Sequence, residues 1–193
     1  FYGNDVSFDL NELELSWTCE DSGVNAYVLE FGTNSIELDA ETNSYTFSSL
    51  PETVNLSAKD KAGNVTTIAL AVPASLPKIS SLDPLYTGSI KATIANILEG
   101  YTYNNQLILD SGVYGPNCSG NLAVIDGLDI GSTPAASLVS TITEANGVTY
   151  NYADSDFVNL NGKVSLVIWK LINGYTENSN YYSLVTDIGE SFP

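Results

Sequence analysis

The residues of this chain that could do chemistry are almost all carboxylates. The 193 residues include 23 Asp and Glu, 6 Lys and Arg, and no His. A Ser or Cys nucleophile needs a nearby base, most often His, and no S-x-x-K motif supplies a Ser–Lys pair. Two carboxylates can hydrolyse a glycoside, but among so many acids some pair falls at any chosen separation. We therefore expect no enzyme and no catalytic residues.

Two acidic loops have the composition of a calcium site. Asp154, Asp156 and Asn159 lie in D-S-D-F-V-N-L-N-G, and Asp126 and Asp129 lie in I-D-G-L-D-I-G. Calcium binds six to eight hard oxygens, which such loops can supply. Neither loop matches the twelve-residue EF-hand pattern, and Asp and Asn are also common turn residues. Calcium is the one cofactor that the sequence suggests, with turn formation as the alternative.

The two cysteines and the tyrosines each allow two interpretations. Cys19 and Cys118 could form a disulfide in a secreted chain or remain thiols in the cytosol. A set of tyrosines could form an aromatic face for glycans, or could simply occupy half-buried strands. These are Tyr101, Tyr103, Tyr150, Tyr152, Tyr175, Tyr181 and Tyr182.

The charge balance excludes one class of partner. The net charge is −17, and the sequence contains no Arg. Nucleic-acid binding needs cationic side chains that displace counterions from phosphates, so we expect no nucleic-acid partner. No apolar run has the length of a membrane span, so we also expect no membrane insertion.

Alternating apolar residues over residues 4–72 predict a sheet structure. Seven short alternating runs are separated by turn signals at intervals of eight to twelve residues, which is typical of a β-sandwich. The clearest run spans Val54–Val72, where two alternating segments flank a turn at Asp60–Asn64. Asp60 can bond to the backbone that follows it and Gly63 can adopt a positive φ, so this segment is predicted to be a β-hairpin.

Several motifs in this region resemble a known family. L-x-L-x-W at Leu13–Trp17, Y-x-L-x-F at Tyr27–Phe31, Y-T-F-S-S-L at Tyr45–Leu50 and A-K-D-K-A-G-N at Ala58–Asn64 are similar to fibronectin type III and immunoglobulin-like modules of microbial surface proteins. The resemblance implies a sandwich that serves as a spacer or presentation module, with Trp17 in its core and no catalytic residues to carry over.

The remaining sequence predicts a linker and a second β-rich domain. Prolines at positions 73, 77 and 84 predict a stiff linker over residues 74–84, so the domains are expected at 1–73 and 85–193. In the second domain, Val164–Leu171 and Tyr181–Ile188 are predicted strands, and Asn-Gly pairs at Asn146, Asn161 and Asn173 predict turns.

Two segments of the second domain fit either a helix or a strand. Ser89–Gly100 has apolar residues at helical spacing between a cap and a Gly. Thr133–Gly147 has Pro134 at the first helical position, but its β-branched residues favour a strand. The predicted fold class is therefore mainly β, an immunoglobulin-like sandwich followed by a β-rich domain that could include one or two short helices.

The predicted function is non-enzymatic and extracellular. A structural or adhesive module of a cell-surface layer, filament or adhesin fits best, with copies of itself or neighbouring surface proteins as partners. A carbohydrate-binding accessory module of a secreted enzyme and a viral appendage protein are the alternatives. Because an open sheet edge accepts an incoming strand, Phe1–Leu10 or Tyr181–Pro193 could be donated to another chain.

Overall fold

The computed structural model describes residues 5–20, 23–84, 90–109, 112–114, 118–119, 122–125 and 135–160. The fold is mainly β, and the described residues contain no α-helix. Seven strands precede residue 72 in the described part of the chain, as the alternation predicts. They are β1 (Val6–Asp9), β2 (Glu14–Trp17), β3 (Val24–Phe31), β4 (Asn34–Asp39), β5 (Ser44–Thr46), β6 (Thr53–Asp60) and β7 (Val65–Ala71).

Nine further strands follow in the described residues. They are β8 (Lys78–Pro84), β9 (Ile90–Ala95), β10 (Tyr101–Leu109), β11 (Gly112–Tyr114), β12 (Cys118–Ser119), β13 (Leu122–Ile125), β14 (Ala135–Glu144), β15 (Thr149–Ala153) and β16 (Val158–Asn159). The two segments that fitted either a helix or a strand contain β9 and β14. The predicted strands at Val164–Leu171 and Tyr181–Ile188, and the turns at Asn161 and Asn173, lie outside the described residues.

The chain forms two compact units that are not contiguous in sequence. The first contains residues 1–76, 98–104 and 140–153, and the second contains residues 77–97, 105–139 and 154–193. The predicted division at residues 74–84 differs from this arrangement, because segments far along the chain belong to the first unit. The predicted linker also contains β8. Proline is compatible with this strand because β8 is an edge strand of its sheet.

The first unit is built from two sheets around one apolar core. One sheet has the order β10-β14-β15-β1-β2-β5 within this unit, and the other has the order β4-β3-β6-β7. Alternate residues of both sheets point into the core, as the period of two requires. Its buried members include Val6, Phe8, Leu15, Trp17, Tyr27, Leu29, Phe47, Val54, Leu56, Ile68, Leu70, Ile142, Val148 and Tyr150.

The predicted hairpin is formed by β6 and β7. Val54 pairs with Leu70 and Leu56 with Ile68, and all four side chains are buried. The turn is closed by bonds from the backbone N–H of Asn64 to Asp60 Oδ1 at 2.8 Å and from Asn64 Nδ2 to Asp60 Oδ2 at 2.7 Å. Gly63 has φ +90°, so the turn uses the conformational freedom of glycine.

The Asp60 turn makes a pH-dependent contribution to stability. The side-chain and backbone hydrogen bonds from Asn64 hold the pKa of Asp60 below its ordinary value of 3.8. The contribution is therefore present above pH 3.8 and is lost as the pH falls through the lower pKa of the folded state. We expect Asp60→Ala to destabilise the protein at pH 7, and the difference from wild type to shrink below pH 3.8 in acid denaturation curves. A difference that is constant with pH would contradict this role.

The second unit has its own sheets and its own core. β12-β13-β9-β8 form a four-stranded sheet, while β10 pairs with β11 and β14 pairs with β16. Along β9 the side chains of Ile90, Ala92 and Ile94 are buried in alternation with half-buried ones. The core of this unit consists of Ile79, Leu82, Ile90, Ala92, Ile94, Leu107, Leu109, Ala136, Leu138 and Leu160.

Candidate functional site

The candidate functional site of the first unit is the junction where the late hairpin β14–β15 meets β1 and β7. The hairpin turn has the Asn-Gly chemistry predicted from the sequence. Gly147 has φ +96°, and the backbone N–H of Glu144 donates to the carbonyl of Val148 at 2.9 Å. The side-chain oxygen of Asn146 accepts from the N–H of Val148 at 3.0 Å, which fixes the turn.

On one side of the hairpin, β15 pairs in parallel with β1. Ser7 lies opposite Thr149, Phe8 opposite Tyr150 and Asp9 opposite Asn151. The ladder continues past the strand end, where the N–H of Leu10 donates to the carbonyl of Asn151 at 2.9 Å. Because β2 pairs with the other side of β1, this strand has no open side within the described structure. Val6–Asp9 is therefore paired within its own chain, and Tyr181–Pro193 lies outside the described residues.

The Asn11 side chain lengthens this parallel ladder. Its Nδ2 donates to the carbonyl of Ala153 at 2.8 Å, and its Oδ1 accepts from the N–H of Ala153 at 2.7 Å. An amide side chain carries both a donor and an acceptor, so Asn11 bonds to Ala153 as a strand residue would. The backbone of Asn11 is fixed in turn by its N–H, which donates to Asp9 Oδ1 at 2.9 Å.

The second part of the junction covers the edge strand β7. Tyr101 Oη donates to the carbonyl of Ala71 at 2.6 Å, and Asn146 Nδ2 donates to the carbonyl of Ala69 at 2.8 Å. The N–H of Ala71 donates to Glu144 Oε2 at 3.3 Å. These bonds satisfy backbone groups that an edge strand would otherwise offer to another chain.

Tyr150 connects the two parts of the junction. Its side chain is fully buried, its ring lies 6.3 Å from that of Phe8, and its hydroxyl donates to Glu144 Oε2 at 2.8 Å. Burial, followed by the hydrogen bond and charge of Glu144, raises the pKa of Tyr150 far above its ordinary value. Tyr150 therefore remains a neutral donor to Glu144 at physiological pH.

The tyrosines proposed as a glycan face have structural contacts instead. Tyr101 and Tyr150 are in edge-on ring contact at 6.3 Å, and the Tyr103 hydroxyl accepts from the N–H of Leu98 at 3.0 Å. Tyr101, Tyr103 and Tyr152 pack against the first core. Tyr175, Tyr181 and Tyr182 lie outside the described residues. Tyr150 is buried in the first core, and Tyr101, Tyr103 and Tyr152 are half-buried on strands. These positions favour the structural interpretation.

The predicted calcium residues are only partly described. Asp154 Oδ1 accepts from the N–H of Asp156 at 3.0 Å, which is the local turn bond that the alternative interpretation predicts. Asn159 ends β16, whereas Asp126 and Asp129 lie outside the described residues. In the part of the chain that is described, no three His, Cys, Asp or Glu residues cluster in a way that could hold a metal ion.

We expect Asp154 to act as a turn residue. Asp154→Ala should lower the free energy of unfolding by about 0.5–1.5 kcal/mol through the lost hydrogen bond, equally with and without millimolar calcium. Thermal melts of both proteins in calcium and in chelator measure this. A rise in the melting temperature with calcium that the variant loses would instead establish a calcium site by mass action.

The remaining predicted site is the pair of cysteines. Among the described residues Cys19 has no disulfide partner. It packs half-buried against the first core, while the side chain of Cys118 lies outside the described residues. The disulfide therefore stays a prediction.

Sequence reasoning missed Asn11, Glu144 and the role of Asn146 toward β7. The Asn-Gly pair marks the turn, but no local signal connects it with a strand more than seventy residues earlier. The described residues also include no helix that could cross a membrane. No known family model and no curated protein matches the sequence of this chain.

Proposed function

We infer that this chain is a non-enzymatic structural module that bears tension in an extracellular layer, filament or adhesin. The observation that carries the proposal is the parallel pairing of β1 with β15, which joins the beginning of the first unit to its last segment.

The direction of this pairing determines how the strands respond to force. A pull on the amino end of β1 and on the carboxyl end of β15 acts along two parallel strands in opposite directions. All the hydrogen bonds of the ladder, together with the Asn11–Ala153 pair, then carry the load at once. Strands that are pulled apart from the same end lose their bonds one after another. Pulling from the amino end of β1 and the carboxyl end of β15 is therefore the geometry in which the ladder resists tension.

Packing protects the loaded ladder from water. Phe8 and Tyr150 face each other across it and are both fully buried, and the Phe8 ring also stacks on Phe47 at 5.5 Å. Water competes for exposed backbone hydrogen bonds, so a ladder above buried rings opens less readily. This arrangement supports a mechanical role for the first unit.

The strand order supports an immunoglobulin-like module. Strands β1, β2 and β5 are neighbours in one sheet, which continues beyond β1 into β15, and β4, β3, β6 and β7 form the other sheet. The first three correspond to strands A, B and E of such sandwiches and the other four to C′, C, F and G. Trp17 on the second strand is buried, as the family resemblance implies. Modules of this kind commonly serve as spacers in surface proteins, and this is the basis for proposing an extracellular location.

The edges of the sheets limit how copies could associate. Side chains from β10 and from the late hairpin form hydrogen bonds with backbone groups of β7, and β1 is internal to its sheet. β4 is the outer strand of the second sheet and carries Glu37 and Asp39, charges that oppose indiscriminate pairing. We therefore propose that copies or neighbouring surface proteins associate through side-chain contacts, not through donation of Val6–Asp9.

Force spectroscopy with two attachment geometries tests the proposal. In a background with Cys19 and Cys118 replaced by Ser, the chain is held at its amino terminus and at a thiol introduced either by Asp154→Cys or by Ala145→Cys. Asp154 follows the carboxyl end of β15, so its pull loads the ladder in shear. Ala145 lies in the exposed turn before β15, so its pull peels the strands apart. We expect rupture of the first unit at a force several times higher from position 154 than from position 145.

Asn11→Ala identifies the structural origin of this resistance. It should lower the rupture force from position 154 and leave that from position 145 nearly unchanged. Glu12→Ala, at an exposed neighbouring position whose backbone N–H bonds to Asp9, is the matched control. Equal rupture forces in the two geometries would overturn the tension-bearing function.

A further inference from the structure

A cavity in the first unit has no role in the β1–β15 ladder. It lies between the β3–β4 turn and the segment that joins β5 to β6, and its volume is about 330 Å³. This is at the small end of the roughly 300–1,000 Å³ that is typical of ligand pockets, so it suits a compact ligand.

Three aromatic rings form the inner wall of this cavity. The ring of Phe47 is buried, and it contacts Phe31 at 4.9 Å and Tyr45 at 4.9 Å, in both cases edge-on. Phe31 and Tyr45 are half-buried and lie 6.0 Å apart. The contacts with Phe47 hold these two rings in place while part of each remains open to solvent. Fixed, partly exposed rings offer an apolar stacking surface at low entropic cost.

Polar side chains surround this wall. Asn34, Ser48 and Glu52 line the cavity and are exposed, and no hydrogen bond joins their side chains to the described part of the chain. Asn34 offers an amide that both donates and accepts hydrogen bonds, Ser48 offers a hydroxyl, and Glu52 offers a carboxylate acceptor. The cavity is open at Gly32, where an added Cβ would meet nothing within 4 Å.

The chemistry of the lining selects among ligands. A sugar ring has an apolar C–H face that stacks on aromatic rings and hydroxyls that bond to carboxylate and amide groups. Among the described residues no Lys lines the cavity, and Glu52 stands at its rim in a chain of net charge −17. An anionic sugar would therefore be repelled, whereas a neutral sugar would not. A proline-rich peptide also binds aromatic surfaces, but it needs an elongated groove and not a compact cavity.

We propose that the cavity formed by Phe31, Tyr45, Phe47, Asn34, Ser48 and Glu52 binds a neutral sugar, as a single residue or at the end of a glycan. This binding site goes beyond the tension-bearing role, and the test of each is independent of the other. The cavity differs from the tyrosine face that the sequence suggested. It is formed by residues 31–53, whereas the proposed tyrosine face lies between positions 101 and 182.

Titration of the full chain by heteronuclear NMR tests the site. The probes are glucose, galactose, mannose, N-acetylglucosamine and their disaccharides, with glucuronic acid as the anionic comparison and a polyproline peptide as the competing class. We expect at least one neutral sugar to shift the amide signals of residues 31–34, 48–50, 52 and 53, and glucuronic acid to shift them much less.

Two pairs of variants distinguish the site from incidental binding. Glu52→Gln should weaken sugar binding roughly tenfold, since hydrogen bonds to charged groups are the stronger ones. Glu37→Gln, an exposed substitution of the same chemistry on β4, should not. Tyr45→Ala should weaken binding at least as much, with Phe157→Ala as the control for losing an exposed ring. Absence of shifts with every sugar, shifts elsewhere, equal effects of both Glu variants, or preference for the peptide would each overturn the proposal.

Discussion

Replacing Trp17 with alanine is expected to lower the free energy of unfolding by about 3–5 kcal/mol, as is typical for deleting a large buried aromatic side chain. Only 2% of the Trp17 surface is exposed, and its ring contacts Tyr27 of the opposite sheet edge-on at 5.4 Å. The variant would leave a cavity between two sheets that cannot close without moving strands. Urea denaturation followed by circular dichroism measures the change.

A second substitution separates packing from polarity at this position. The Trp17 indole N–H is buried and has no hydrogen-bond partner in the described structure. Trp17→Phe keeps an aromatic ring and removes this unsatisfied donor, so its cost should be well below that of alanine. Phe157→Ala, at a side chain 53% exposed, should change stability by no more than about 0.5 kcal/mol. A Trp17→Ala variant as stable as Phe157→Ala would contradict the assignment of Trp17 to the core.

Replacing Tyr150 with alanine should cost a similar amount, about 3–5 kcal/mol, although this residue lies far from the sandwich strands in sequence. Its ring is buried with Phe8 and Tyr101, so its loss weakens the attachment of β15 to the rest of the unit. Equilibrium unfolding of the first unit should remain a single transition with a lower midpoint. A separate early transition would contradict one cooperative unit.

Tyr150→Phe isolates the hydrogen bond to Glu144. We expect a loss of about 1–3 kcal/mol because a carboxylate loses its buried donor, whereas Tyr45→Phe, whose hydroxyl has no described partner, should be near neutral. The raised pKa of Tyr150 also means that stability falls as the pH rises above the ordinary value of 10.0. The Phe variant should lose less stability than wild type over that range.

The local features of the fold could be predicted because they depend on neighbouring residues. Alternation identified the buried faces of β1, β2, β3, β6 and β7, and Asp60 with Gly63 identified the turn. The helix alternative at Ser89–Gly100 arose because Ile90 and Ile94 share a face in both structures: a separation of four residues fits a helical turn and two strand periods. The alternating burial along β9 shows that the strand period applies.

The long-range features could not be predicted in this way. Phe8 and Tyr150 are 142 residues apart in sequence but lie opposite each other in the sheet. The local sequence around neither residue indicates this pairing. From the sequence alone Asn11 is an ordinary turn residue. Its role depends on the hydrogen bond to Ala153, which only the folded structure shows. The cavity near Tyr45 likewise depends on the β3–β4 turn meeting the segment that follows β5. Single-sequence patterns specify faces and turns, whereas pairing between distant strands is decided by the whole fold.

Native-state hydrogen exchange tests most directly whether the late hairpin belongs to the first unit. We expect amides in the β1–β15 ladder, such as those of Leu10 and Ala153, to open with nearly the same free energy as core amides of β3 and β6. Asn11→Ala should lower protection first at Ala153. Amides of β15 whose opening free energy is several kcal/mol lower than that of β6 amides would show that the hairpin opens independently of the first unit, and that the β1–β15 ladder does not hold this unit together.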